Sequence, residues 1–466
     1  MKKTFLAMTA LAAMLFAGCT SSDDLTTRET ITKANEAATP INFGTYMGKT
    51  STRAGATGNI ITPSTGATNE LGTAGKEFGV IAYNTGSTDW AGTGNTVTPN
   101  FMYNQKVSCT SGTTWTYAPI KYWPNGVDAG NNTSGNPSKT ATQGTEQKLS
   151  FFAYAPYVDA TVSTGAVTPA TEGITGLTSN NTAGEPKVTY KLNVASGKTA
   201  ADNVDLLWGL AGKTSYNEAD NDDPSLTVGT SYNINLTKQN STEKINFLFK
   251  HALAKIGGLN GLKVQLDVDN NTGGALDAKS NVSIQQIVIS GVGGKIATTG
   301  TFNIATGTWE SVSLDNTYSK TELYNVNHGS TGVDANIFTA VGTPFTYSTS
   351  STSWNYPGVT NTAQSIFTSG TQKEFYLLPG IDGQQLEVAI TYQVRTYDEN
   401  LNGNYSTVNQ TITNIVTLPS LDPNNYYTLI MHLGLTSVKF EATVSDWTTT
   451  GSGIEKNIWL PSNVVE

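Results

Sequence analysis

INFLFKHALAKIGGLNGLKVQLDVD, residues 245–269, is the one stretch of this chain that invites a helix. Its residue types favour another reading. The first seven positions are rich in aromatic and aliphatic side chains that suit a pleated surface. Gly257, Gly258 and Gly261 then supply a bend, and Leu262, Val264 and Leu266 alternate with Lys263 and Gln265 as in a half-buried strand. The stretch is therefore expected to be a strand entering a sheet, a glycine-rich bend and a second strand. With no other segment holding a helical period beyond two turns, the chain is expected to be all-β.

The flanking sequence repeats the pattern. EFGVIAYN (77–84), WTYAPIKYWP (115–124), KLSFFAYAPY (148–157) and KVTYKLNV (187–194) lie on one side. NVSIQQIVISGV (281–292), EFYLLPG (374–380), QLEVAITYQVRTY (385–397), QTITNIVTL (410–418), YYTLIMHLGL (426–435) and SVKFEATVSDW (437–447) lie on the other. Glycine, asparagine and threonine loops separate them, as expected of short strands joined by turns. The Ser/Thr-rich stretch at about 340–371 is expected to be a long surface loop or an insertion. Two polar stretches, NEADNDDPS (217–225) and TKQNSTEK (237–244), place a domain boundary near residue 243. The expected organisation is two β-sandwiches in series, 54–243 and 244–466.

Across 466 residues the charged fraction is only 14% and glycine numbers 46, which excludes charge-rich disorder. A net charge of −9 speaks against nucleic acid as a partner, because phosphate binding needs a basic face. Three histidines and two cysteines leave little for metal or thiol chemistry.

The chain begins MKKTFLAMTALAAMLFAGC: two lysines, an apolar run from Phe5 to Phe16, then small residues before Cys19. This is a secretory signal, too short for a membrane span. FAGC is similar to a bacterial lipobox, in which residues 1–18 are removed and Cys19 is acylated, and SSDD (21–24) resembles a surface-export tract. Residues 25–38 read as a polar tether. In TPINFGTYMGKT (39–50), Ile41, Phe43, Thr45 and Met47 alternate with Asn42, Gly44, Tyr46 and Gly48, the pattern of a half-buried strand.

The lipobox, TRAG (52–55), FFAYAPY (151–157), DLLWG (205–209), FKHALAKI (249–256), FYLLPG (375–380) and KFEATVSDW (439–447) occur in that order. Together they resemble the fimbrillin family of Bacteroidetes pilus subunits, over nearly the whole chain. The resemblance implies two transthyretin-like β-sandwich domains, lipoprotein export to the outer membrane, and assembly by strand exchange after a protease removes a leader. It also implies that other pilus subunits are the partners.

The arginines agree with that expectation. The chain has three, Arg28, Arg53 and Arg395, among 27 basic residues. Arg28 lies in the tether and Arg395 inside a strand pattern, so Arg53 is the exposed, extended position for an arginine-specific protease. Cleavage between Arg53 and Ala54 would detach residues 19–53, including the strand of Ile41 to Met47. The vacated groove would be a template for another strand. In KNIWLPSNVVE (456–466), Ile458, Leu460, Ser462 and Val464 repeat the order apolar, apolar, small hydroxyl, apolar. They are the expected donor strand, following a flexible TTTGSG hinge that gives them little reason to pack on their own domain.

No catalytic, metal or cofactor site is expected. His251 and His432 sit in strand patterns as packing or hydrogen-bonding residues, and Cys109 reads as a small, partly buried strand residue. Asp267, Asp269 and Asn271 lack the glycine and closing glutamate of a calcium loop. Asp220, Asp222 and Asp223 read as a solvated loop. A second functional reading is a monomeric surface lipoprotein that binds glycans by stacking sugars on indoles. It takes Trp90 and Trp354, both in polar loops, as exposed platforms, with a host glycan or protein as receptor. Trp115, Trp123 and Trp447 read as core.

Overall fold

Runs such as FGVIAY and LSFFAYA are apolar or small at nearly every position. A run of that kind forms a strand buried on both faces. The computed structural model describes residues 39–46, 75–90, 96–111, 114–124, 147–168, 171–194, 200–211, 234–238, 244–257, 261–267, 276–315, 321–327, 345–366, 374–434, 438–446 and 456–459. Over these the protein is all-β, with one short 3₁₀ turn at Ala200–Asp202.

The first sheet has seven strands. In spatial order they are β1 (Phe43–Tyr46), β9 (Ile245–His251), β8 (Leu207–Ala211), β5 (Leu149–Ala155), β2 (Glu77–Asn84), β3 (Met102–Ser111) and β4 (Thr114–Thr116). Phe78, Val80 and Ala82 of β2 and Phe151 and Ala153 of β5 fill a core on one face. Ile81, Tyr83, Phe152 and Tyr154 fill a second core on the other. A four-stranded sheet covers that second core: β14 (Thr308–Leu314), β13 (Ala297–Asn303), β7 (Lys187–Lys191) and β6 (Gly173–Leu177). It draws on both halves of the sequence, because β13 pairs antiparallel with β7.

A third core lies between two further sheets. One runs β18 (Gln364–Ser365), β11 (Leu262–Leu266), β22 (Asn425–Leu433), β10 (Ala254–Gly257) and β19 (Glu374–Leu377), with β23 (Val438–Asp446) on β22 and β24 (Lys456–Trp459) on β23. The other runs β15 (Thr321–Asn327), β12 (Ser280–Gly291), β20 (Gln385–Tyr397) and β21 (Tyr405–Thr417). A hairpin of β16 (Tyr347–Ser348) and β17 (Ser353–Trp354) completes the strands. Strand β19 and the residue after it serve two cores: Phe375 and Leu377 face the third, and Tyr376 and Leu378 face the second.

The described residues of 245–269 form strands as expected, but the chain bends earlier. The chain leaves the first sheet at Ala252–Leu253, before the glycines, and makes three strands. Both residues are buried and held by their carbonyls. Trp309 donates its indole N–H to the Ala252 carbonyl at 2.6 Å, and the Asn424 amide donates to Leu253 at 3.0 Å. Tertiary contacts rather than glycine freedom set the bend.

The 340–371 stretch is less of a surface loop than its composition suggests. Among its described residues, Phe345, Val359 and Ile366 are buried, and β16, β17 and β18 lie within it. Its serines and threonines are the exposed side of a segment that is pinned by these three apolar residues.

One glycine is required by a close approach. Gly307 has φ of +72°, and a Cβ there would overlap the buried indole of Trp208. Gly307→Ala is expected to destabilise the fold by ~2 kcal/mol through left-handed strain and displacement of the indole. Chemical denaturation would measure it; a change under ~0.5 kcal/mol, the size of an ordinary surface substitution, would contradict the close approach.

Candidate functional site: the groove filled by residues 39–46

The first sheet has two edges, and residues 39–46 bond to both. On one side β1 runs parallel to β9, with Phe43 opposite Ile245 and Tyr46 opposite Leu248, and the Ile245 amide donates to the Asn42 carbonyl at 2.8 Å. On the other side residues 39–41 lie antiparallel to 121–123, just beyond β4 at the opposite edge of the sheet. There the Ile41 amide donates to the Lys121 carbonyl and the Trp123 amide to the Thr39 carbonyl, each at 2.9 Å. The N-terminal segment is thus the stave that closes the sheet around its inner core.

Its side chains fill that core. Ile41 is 0% and Phe43 2% exposed. The Phe43 ring lies 5.2 Å from Tyr117, stacks on Phe247 at 5.8 Å, and meets Phe151 and Phe78 edge-on at 6.1 and 6.5 Å. Tyr117 also donates its hydroxyl to the Ile41 carbonyl at 2.9 Å. Burial pushes the Tyr117 phenol up, against the opposing pull of a backbone bond at Lys121. The phenol is therefore a protonated donor. Removing residues 39–46 would expose a row of apolar and aromatic side chains between two unpaired strand edges. Such a slot accepts another extended strand: backbone groups give the affinity, and pockets at alternate positions read the side chains.

Of the expected leader-strand residues, Ile41 and Phe43 lie in this groove. Thr45 lies within β1 but its side chain falls outside the described residues, as does the whole of Met47. Cys19, Arg53 and Ala54 also lie outside them. Of the expected donor residues, only Ile458 is described; Leu460, Ser462 and Val464 are not. Ile458 sits in β24, which pairs antiparallel with β23 and places Ile458 opposite Ala442. The expectation that this tail does not pack on its own domain is corrected: β23 offers an open edge, and the alternating strand takes it.

Sequence reading missed the lower wall of the groove. Tyr117 and residues 121–123 had only the signal of an aromatic-rich strand, and nothing local tells that they meet a segment eighty residues earlier.

The tryptophans split differently from expectation. Trp90 is no exposed platform: it is 7% exposed and packs on Tyr83 and Phe152, with ring centroids at 4.7 and 5.1 Å. Its polar loop is drawn down by a 2.5 Å bond from the Trp90 amide to Asn235. Trp354 is half-buried and stacks on Phe345 at 5.0 Å. Trp123 is buried, while Trp115 is half-buried at the edge of Phe78. Trp447, His328, Asp220, Asp222, Asp223, Asp269 and Asn271 lie outside the described residues.

Cys109 is buried. His251 hydrogen-bonds the fully buried Asp205 at 3.0 Å, and His432 bonds Asp267 at 2.8 Å. Both histidines therefore hold elements together, and the Asp267 carboxylate is already engaged by protein. Their carboxylates stand 46 and 165 residues away in sequence, beyond the reach of any local motif.

No family profile matches the chain. A fimbrium subunit from Phocaeicola vulgatus is 27% identical over 230 residues, which are 48% of this chain and 45% of that protein. The match thus spans about half the length of each. A crystallised fimbrial protein from Bacteroides vulgatus shares the fold, with a TM-score of 0.51 and 22% identity over 79% of this chain and 92% of that one.

Proposed function

We propose, with the chain's likeness to the fimbrillin family as premise, that this protein is a structural or tip subunit of a cell-surface fimbria. It supports adhesion and has no enzymatic role. In this reading it reaches the outer membrane as a lipoprotein acylated on Cys19, and an arginine-specific protease cuts between Arg53 and Ala54. Residues 458–464 of another subunit then replace residues 41–47. The same reading divides the chain into two sandwiches, 54–243 and 244–466, although β9, just beyond that boundary, lies in the first sheet.

The observation that carries this reading is the position of residues 39–46. They fill a core and seal two edges, yet they join the rest of the sheet through 28 residues (47–74) that contain Arg53. A cut in that stretch frees the stave from the chain without severing any strand of the sheet. The replacement must match a parallel neighbour, and Ile458, Leu460 and Val464 would bury three aliphatic side chains at ~1.5–3 kcal/mol each. Strand β24 has a neighbour on one side only among the described residues. It leaves its own sheet by giving up one short ladder.

Two variants test the two halves. Arg53→Ala is expected to leave a full-length lipoprotein on the membrane that forms no filaments; filaments built from Cys19–Glu466 would contradict the cleavage step. Deleting residues 457–466 is expected to leave a folded, processed subunit that forms no heat-resistant ladder on gels. Ladders at the wild-type level would remove the C-terminal strand as donor.

A further inference from the structure

Strand β21 is thirteen residues long and pairs with β20 in one unbroken register from Gln385↔Thr417 to Tyr397↔Tyr405, without a bulge. It is the last strand of its sheet among the described residues. Most of it is exposed on both faces, with Val408 54% and Ile415 50% exposed. Open edges of this length are normally blunted by a lysine, a proline or a bulge. YSTVNQTITNIVT has no charged residue and no proline. Cross-strand side-chain pairs tie it to β20, Thr391 with Thr411 at 2.8 Å and Gln393 with Asn409 at 3.0 Å.

We propose that this edge is an interface between copies of the chain: β21 of one molecule pairs antiparallel with β21 of a second, about a two-fold axis. An antiparallel edge is its own complement under such an axis. The charges select the same partner and direction. On a chain of net charge −9 this edge is a neutral strip, where two copies approach without opposing carboxylates. The hairpin tip between β20 and β21 carries Asp398 and Glu399, whereas the far end, Thr417-Leu418-Pro419, is uncharged. Antiparallel pairing sets each acidic tip beside the neutral end of its partner. Parallel pairing would set the two acidic tips together. Thirteen paired residues span ~43 Å, and repeated along aligned molecules such seams add by multivalency. The seam leaves the 39–46 groove untouched and does not depend on strand donation.

The test is sedimentation of the purified full chain in reducing buffer, with residues 39–46 in place, across a range of concentrations. The wild type is expected to show a monomer–dimer equilibrium. Val408→Lys with Thr413→Lys, both at exposed positions, is expected to weaken it at least tenfold while the far-UV circular dichroism stays unchanged. Val408→Lys alone serves if the double variant loses its β signal. Amide hydrogen exchange at high concentration should slow in 405–417. A chain that stays monomeric throughout, or a variant that associates as the wild type does, overturns the proposal. So does slowed exchange confined to 39–46 or 456–459, which would assign the association to strand donation.

Discussion

Replacing Phe43 with alanine is expected to destabilise the first sheet of the full-length chain by ~3–5 kcal/mol, the range for truncating a buried aromatic to alanine. The ring is 2% exposed and touches four aromatic neighbours drawn from β2, β5, β9 and the segment after β4. No neighbour can collapse into the space without leaving its own strand. The loss is expected in urea unfolding of the uncleaved chain, with faster amide exchange at 39–46 and 245–248. Once residues 19–53 have been cut away the substitution should leave no trace, so filaments from a Phe43→Ala strain should melt as wild-type filaments do. A cost under ~1 kcal/mol in the uncleaved chain, well below the range for a buried aromatic, would mean that residues 39–46 do not complete the core.

The second large effect is expected at the junction of the cores. Asp205 is fully buried and His251 nearly so. The hydrogen bond runs to Oδ1 at 3.0 Å, while Oδ2, at 2.8 Å, is poorly aimed and takes no hydrogen bond. His251 also anchors the end of β9 through its amide, which donates to the Asn424 side chain at 3.2 Å. His251→Leu strands a carboxylate in the interior and is expected to cost ~3–5 kcal/mol. Changing both partners, Asp205→Leu with His251→Leu, removes the stranded group and should cost less than the two single changes summed. Full additivity of the two changes would show that the pair is not coupled.

The strands were legible because their residues are extreme. LSFFAYA has no surface-facing position to confuse the period, EFYL has one at Glu374, and QLEVAITY alternates cleanly. The stave at 39–46 was legible for the same reason, since Ile41 and Phe43 stand out from a polar tether. Sheet membership was not legible. Strand β9 follows a polar linker and looks like the opening of a new unit, yet it pairs with β8 and β1. The partner of a strand is chosen by surfaces that can lie about two hundred residues apart, as β1 and β9 do, and composition does not encode it. Trp90 was misread because a Gly/Thr-rich loop says how the backbone turns, not which way its one large side chain falls. The tail was misread because a Thr/Gly/Ser hinge sequence permits packing on its own sheet as readily as departure from it. The His251–Asp205 pair left no local signal at all.

The central claim is that the groove vacated by residues 39–46 receives residues 458–464 of another subunit. Disulfide trapping tests it directly. Phe43 lies opposite Ile245 across a parallel pair, so Leu460, the matching position of the donor, should come to lie there. Neighbouring strands place such residues within disulfide reach. In filaments carrying Ile245→Cys and Leu460→Cys, mild oxidation is expected to yield a covalent ladder on non-reducing gels that collapses to monomer with reductant. Each single variant should yield none. A cross-link formed only within one chain, or no cross-link at 245 with cysteine at 458, 460 or 462, would contradict the account.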